Sequence, residues 1–112
     1  LRRVYEKREI MINTLGLHKF DMAEYLESEE DIAYYLEATA EEDITLLPAA
    51  LGTVARARGM SDLARSTGLS RETLYKTLSA GGNPTLSTLS KVLETYGVRI
   101  SLAPINDKAA AV

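Results

Sequence analysis

Four side chains on one short stretch, Arg71, Glu72, Tyr75 and Lys76, are of the types that read nucleic-acid bases. Arginine can chelate the acceptor edge of guanine, glutamate can accept from the cytosine amino group, and lysine can reach guanine or a phosphate. Ser61 and Ser70 stand where helix caps belong, and the N–H groups of a capped helix start suit phosphate oxygens. Rival chemistries have little to work with. The single histidine, His18, lies in an irregular stretch with no serine or aspartate at a telling spacing. The carboxylate runs 29–31 and 41–43 lack the glycine of a calcium loop and read as solvated helix ends. Gly81 and Gly82 are not followed by the Lys-Ser/Thr pair of a phosphate loop, and Tyr35 sits on an apolar stripe, which breaks up any stacking platform with Tyr34 and Tyr75. No catalytic residue, metal or cofactor is expected.

The elements that would position those side chains follow from periodicity and caps. Ser61 is placed to cap a short helix through Ser66, Gly68 to turn the chain, and Ser70 to cap a second helix through about Leu78. Leu63, Leu69, Leu74 and Leu78 then point inward, Ala64 is small where the helices cross, and the base-reading types are left facing outward. Two short helices joined by a glycine turn are the mechanical minimum for placing one helix in a major groove while the other braces it, so residues 61–79 read as a helix-turn-helix. The alternative reading of the spacing alone is a helical hairpin with a solvated charged face.

The flanks supply context. Leu47, Ala50, Leu51, Val54 and Ala55 repeat at three and four, with Pro48 in the first turn and Gly59 as a C-terminal cap. After the turn signal at 80–84, Thr85 is expected to cap a helix with Leu86, Leu89, Val92, Leu93 and Tyr96 on its buried stripe, ended by Gly97. Val98, Ile100 and Leu102 then alternate with Arg99 and Ser101, the period of a half-buried strand. Upstream, Asp21 is placed to cap a turn over 22–26. Ser28 with Asp31 forms a capping-box pattern that opens a helix carrying Ile32, Tyr35, Leu36 and Thr39 on one face.

The 112 residues suffice for one core, and the absence of cysteine removes disulfides and fits a reducing cytoplasm. The apolar runs are too short to span a bilayer, so no membrane partner is expected. The net charge of −3 conceals a segregation: residues 21–43 carry ten acidic and no basic side chains, whereas residues 44–99 carry seven basic against three acidic. The chain therefore divides into an irregular extension over 1–20, an acidic helical arm over 21–43, a basic unit over 44–103 and a flexible tail over 104–112. Met11, inside the extension, is a candidate start.

The segments ARARGMSDLARSTGLSRETLYKTLS and GNPTLSTLSKVLETYG, within residues 20–103, resemble HigA-like addiction-module antidotes with a Cro/repressor-type helix-turn-helix. The resemblance implies a compact all-α bundle of about five helices with a short C-terminal strand. It also implies a DNA-binding antitoxin that neutralises a RelE/ParE-type toxin and represses its own operon. On it, Arg71, Glu72, Tyr75 and Lys76 correspond to base-reading positions, and Ser61, Ser70, Asn83 and Thr85 to DNA-backbone contacts. The chain departs from the broader repressor pattern at Leu78, where Glu is common, and at Ala80, where Gly often follows. Two other readings stand beside it: a solitary repressor without a toxin, and a protein-interaction module without DNA affinity. Because a lone strand leaves its backbone unpaired, a homodimer joined through Val98, Ile100 and Leu102 is expected, spacing two recognition helices about 34 Å apart on a palindrome. The acidic arm is expected to pack its apolar stripe on the bundle and to offer its carboxylates to a small basic toxin.

Overall fold

The computed structural model describes residues 26–105. Over these it forms α1 (Glu29–Glu42), a 3-10 turn (Ile44–Leu46), α2 (Leu47–Arg58), α3 (Met60–Thr67), α4 (Arg71–Thr77) and α5 (Leu86–Thr95). The extension over 1–20, the turn expected over 22–26 (Leu26 apart), and the tail beyond 105 lie outside the described residues.

Local chemistry sets most of the boundaries. The Ser28 hydroxyl accepts from the Asp31 N–H at 3.1 Å, and Glu29, Glu30 and Asp31 place negative charge at the positive start of α1. Asp43 closes that helix and opens the next turn, where its carboxylate accepts from the Thr45 N–H at 3.0 Å and the Thr45 hydroxyl at 2.7 Å. Those two bonds hold its carboxyl below the usual range. Pro48 falls in the first turn of α2, where its missing N–H costs nothing. Ser61, however, does not cap α3. Gly59, at φ 111°, redirects the chain within one residue, so Met60 is already helical and buried and no side chain caps the start.

One apolar cluster holds these helices together. Ile32 and Leu36 of α1 meet Leu51 and Val54 of α2, Leu63 of α3, Leu74 and Leu78 around α4, and Val92 and Leu93 of α5. The acidic segment thus shares the core of the basic one. Two further expectations fail. Leu86 is 71% exposed and Thr88 takes the buried place instead. A helical side chain lies back over the turn before it, and Leu86, at the first helical position, has no such turn to cover. No strand forms over Val98–Leu102 either. A strand needs a paired neighbour, and the described residues of the chain supply none. Val98 packs against the core, while Ile100 is 41% and Leu102 95% exposed.

Tyr96 closes the end of α5 with its hydroxyl buried and without a hydrogen-bond partner. Burial pushes the phenol from its ordinary 10.0 up to about 12, against a smaller opposing pull from Arg58. The unfolded phenol ionises first, so its contribution to stability is full below about pH 10 and is lost as pH rises toward 12. Denaturant melts across that window should show wild-type stability falling more steeply than that of Tyr96→Phe. Parallel curves would place the hydroxyl in water.

A tight approach joins α2 to the end of α4. A Cβ on Gly52 would overlap the Leu78 carbonyl oxygen and lie 3.1 Å from the Leu78 carbonyl carbon. Alanine is the better helix former by about 1 kcal/mol, but overpacking against rigid backbone costs about 1–3 kcal/mol and wins here. Gly52→Ala should lower the urea-derived stability by up to about 2 kcal/mol. An unchanged or raised stability would contradict this close contact.

Candidate nucleic-acid interface

The segment from α3 through α4 is anchored on one side and polar on the other. Leu63, Leu74 and Leu78 are almost wholly buried, and Ala64 and Leu69 pack partly against the same core. Gly68 ends α3 in the left-handed conformation at φ 76°, which only glycine adopts without strain, and a Cβ there would meet nothing within 4 Å. The turn is therefore set by backbone conformation rather than by crowding.

Ser70 then starts α4. Its hydroxyl accepts from the Thr73 N–H at 3.0 Å and donates to the Thr73 hydroxyl at 2.9 Å. With Leu74 fully buried, rotation of this two-turn helix about its axis is fixed. Arg71, Glu72 and Lys76 emerge exposed, and Tyr75 is 45% exposed. The guanidinium carbon of Arg71 lies 5.9 Å from the centre of the Tyr75 ring, a cation–π distance one helical turn apart. This contact restrains the arginine without using its donors, which stay available in a planar fork.

The expected backbone-contact residues are distributed around this helix. Ser61 is exposed in the first turn of α3, and Ser70 is exposed at the start of α4. Asn83 is exposed in the following loop, and Thr85 is exposed while capping α5 through a bond from the Thr88 N–H at 3.1 Å. That loop is tight because Gly82 donates to the Ser79 carbonyl at 2.8 Å, and a Cβ at Gly82 would overlap the Thr77 carbonyl oxygen. Leu78 is fully buried, which accounts for an apolar residue at this position. Gly52, which seats the end of α4, was not singled out by its sequence pattern. The available signal was a glycine in the middle of an apolar helical stripe. Arg65 on α3 is also exposed and is bonded to Asp62, so its charge is partly neutralised. Among the described residues no group of three or more His, Cys, Asp or Glu could hold a metal ion, and no helix is long and apolar enough to cross a membrane.

Residues 16–104 match the family model described as a probable addiction module antidote protein, a span that includes all five helices. The chain belongs to this antidote family. A relative from Haemophilus influenzae, an uncharacterised protein, is 49% identical over 90 residues, which cover 80% of this chain and 93% of the relative. No solved structure is significantly similar to the chain. For an addiction-module antidote the role is regulatory rather than catalytic and implies a toxin as partner.

The Ser70 cap should be measurable in this antidote. Ser70→Ala should cost about 1 kcal/mol of stability and Ser70→Gly only a few tenths. Equal losses in thermal melts, or none, would contradict the cap as the fastening of α4.

Proposed function

We propose that the antidote binds operator DNA through α3 and α4 acting as a helix-turn-helix, neutralises a RelE/ParE-type toxin and represses its own operon in the cytoplasm. The observation that carries this reading is the exposure of Arg71, Glu72, Tyr75 and Lys76 on one short helix whose remaining face is locked by Leu74 and Leu78. Those are side chains with donors and acceptors suited to base edges, held on a rigid mount. The excess of basic over acidic residues across 44–99 supports it, since phosphate attraction supplies most of the affinity for any DNA sequence. Ser61, Ser70, Asn83 and Thr85 would fix register by contacting the DNA backbone.

A palindromic operator calls for two copies. The exposed Ile100 and Leu102, with Val98 at the edge of the core, support a homodimer in which a second chain pairs with this segment. The toxin would meet the carboxylate-rich outer side of α1, because proteins that act on nucleic-acid machinery carry cationic surfaces. The apolar side of α1 is used in the core, and Glu37 and Glu41 stand exposed on the helix.

Binding of Arg71→Ala to operator and to random DNA at one salt concentration tests the reading. The expected result is a loss of about 1–3 kcal/mol on operator, with little change on random DNA and relaxed preference at one base pair. Wild-type affinity for both would remove α4 as the reading helix. No affinity for either DNA in the wild type would favour a pure protein-interaction module.

A further inference from the structure

Among the side chains that α4 turns outward, one differs in kind from the rest. Arg71, Glu72 and Lys76 are charged, whereas Tyr75, at 45% exposure, is the one large apolar side chain that this helix leaves exposed. Its ring takes no part in the core cluster that Leu74 and Leu78 join. Three hydroxyls around it spend their protons on the protein itself. Ser70 donates to the Thr73 hydroxyl, Thr77 donates to the Thr73 carbonyl at 2.8 Å, and Ser79 donates to the Lys76 carbonyl at 3.1 Å.

The base-pair edges in a major groove are almost wholly polar, and their one apolar group is the methyl of thymine. An exposed ring set among charged readers matches that group. Where the thymine lies follows from Arg71, whose guanidinium carbon is 5.9 Å from the ring centre. A bidentate arginine takes the O6 and N7 edge of guanine, and a G·C pair carries no methyl. Base pairs stack about 3.4 Å apart, so a ring held 5.9 Å from the guanidinium reaches the neighbouring pair. The cation–π contact keeps the two readers in step, because arginine and ring restrain each other before DNA arrives.

We propose that α4 reads a two-base-pair step in which a guanine, taken by Arg71, lies next to a thymine whose methyl packs on the Tyr75 ring. Tyr75 is the residue that determines specificity for the methyl, through its ring and not its hydroxyl. Cytosine in place of the thymine is disfavoured, since it removes the methyl and turns an amino group toward an apolar surface. The proposal rests on α4 as the reading helix and adds the composition of the step it reads.

The test starts from duplexes that the full chain selects out of a randomised pool. Selected sites should share a guanine with an adjacent thymine. Deoxyuridine in place of that thymine removes the methyl and keeps every hydrogen-bonding group, and wild-type binding should weaken about fourfold, the worth of one buried methyl. Tyr75→Phe should keep this difference, Tyr75→Ala should bind both duplexes equally, and Arg71→Ala should lose the preference for guanine. At the thymine position, 5-methylcytosine should bind more tightly than cytosine. Equal wild-type affinity for the thymine and uracil duplexes, or a methyl preference retained in Tyr75→Ala, would overturn the proposal while a guanine preference that depends on Arg71 still upheld α4 as the reading helix. Failure to select any sequence, or an unchanged guanine preference in Arg71→Ala, would remove that reading and the proposal with it.

Discussion

The close approach of Gly52 to the carbonyl of Leu78 is the constraint on which the arrangement of helices depends. It brings the backbone of α2 against the end of α4 with no side chain between them. At the other end α4 is held by the left-handed Gly68 and by the Ser70 hydroxyl. Between these two fastenings Leu74 is fully buried. A seven-residue helix has too little internal cooperativity to stand alone, so its orientation is a tertiary property. Any role for Arg71, Glu72, Tyr75 and Lys76 inherits its geometry from these contacts.

The same core ties together segments of opposite charge. Ile32 and Leu36 bring α1 onto the helices that carry most of the basic residues downstream. The two charged faces are therefore held by one packed interior, whose low compressibility keeps them in fixed relation. For an antidote this arrangement separates a carboxylate-rich face from the face proposed to meet DNA. Neither neutralises the other across a flexible linker.

Legibility in the sequence followed whether one residue's local chemistry was decisive. Ser28, Ser70 and Thr85 each cap the expected helix, because a short hydroxyl side chain preceding an apolar repeat has few better uses. The stripe of Leu47, Ala50, Leu51, Val54 and Ala55 is buried as its spacing requires. Ser61 misled because the stronger backbone signal, Gly59, stood two residues earlier. Leu86 misled because periodicity does not register where a stripe loses its covering neighbours. The alternation over Val98–Leu102 describes side chains, whereas a strand is made by backbone pairing, which no segment within the described residues provides. Gly52 and the unpartnered Tyr96 hydroxyl are consequences of tertiary packing, and the only local sign of either is a glycine set in an apolar helical stripe. The outward set on α4 was readable because burial of Leu74 and Leu78 leaves the other positions no alternative.

Amide hydrogen exchange of the full chain, with and without DNA from upstream of its own gene, tests most directly whether the two faces are functionally distinct. Protection is predicted around residues 70–78 and at the loop and cap over 83–88, with the exchange of α1 unchanged. Protection of α1 in place of α4, or no protection anywhere at DNA concentrations that saturate binding, would contradict the account.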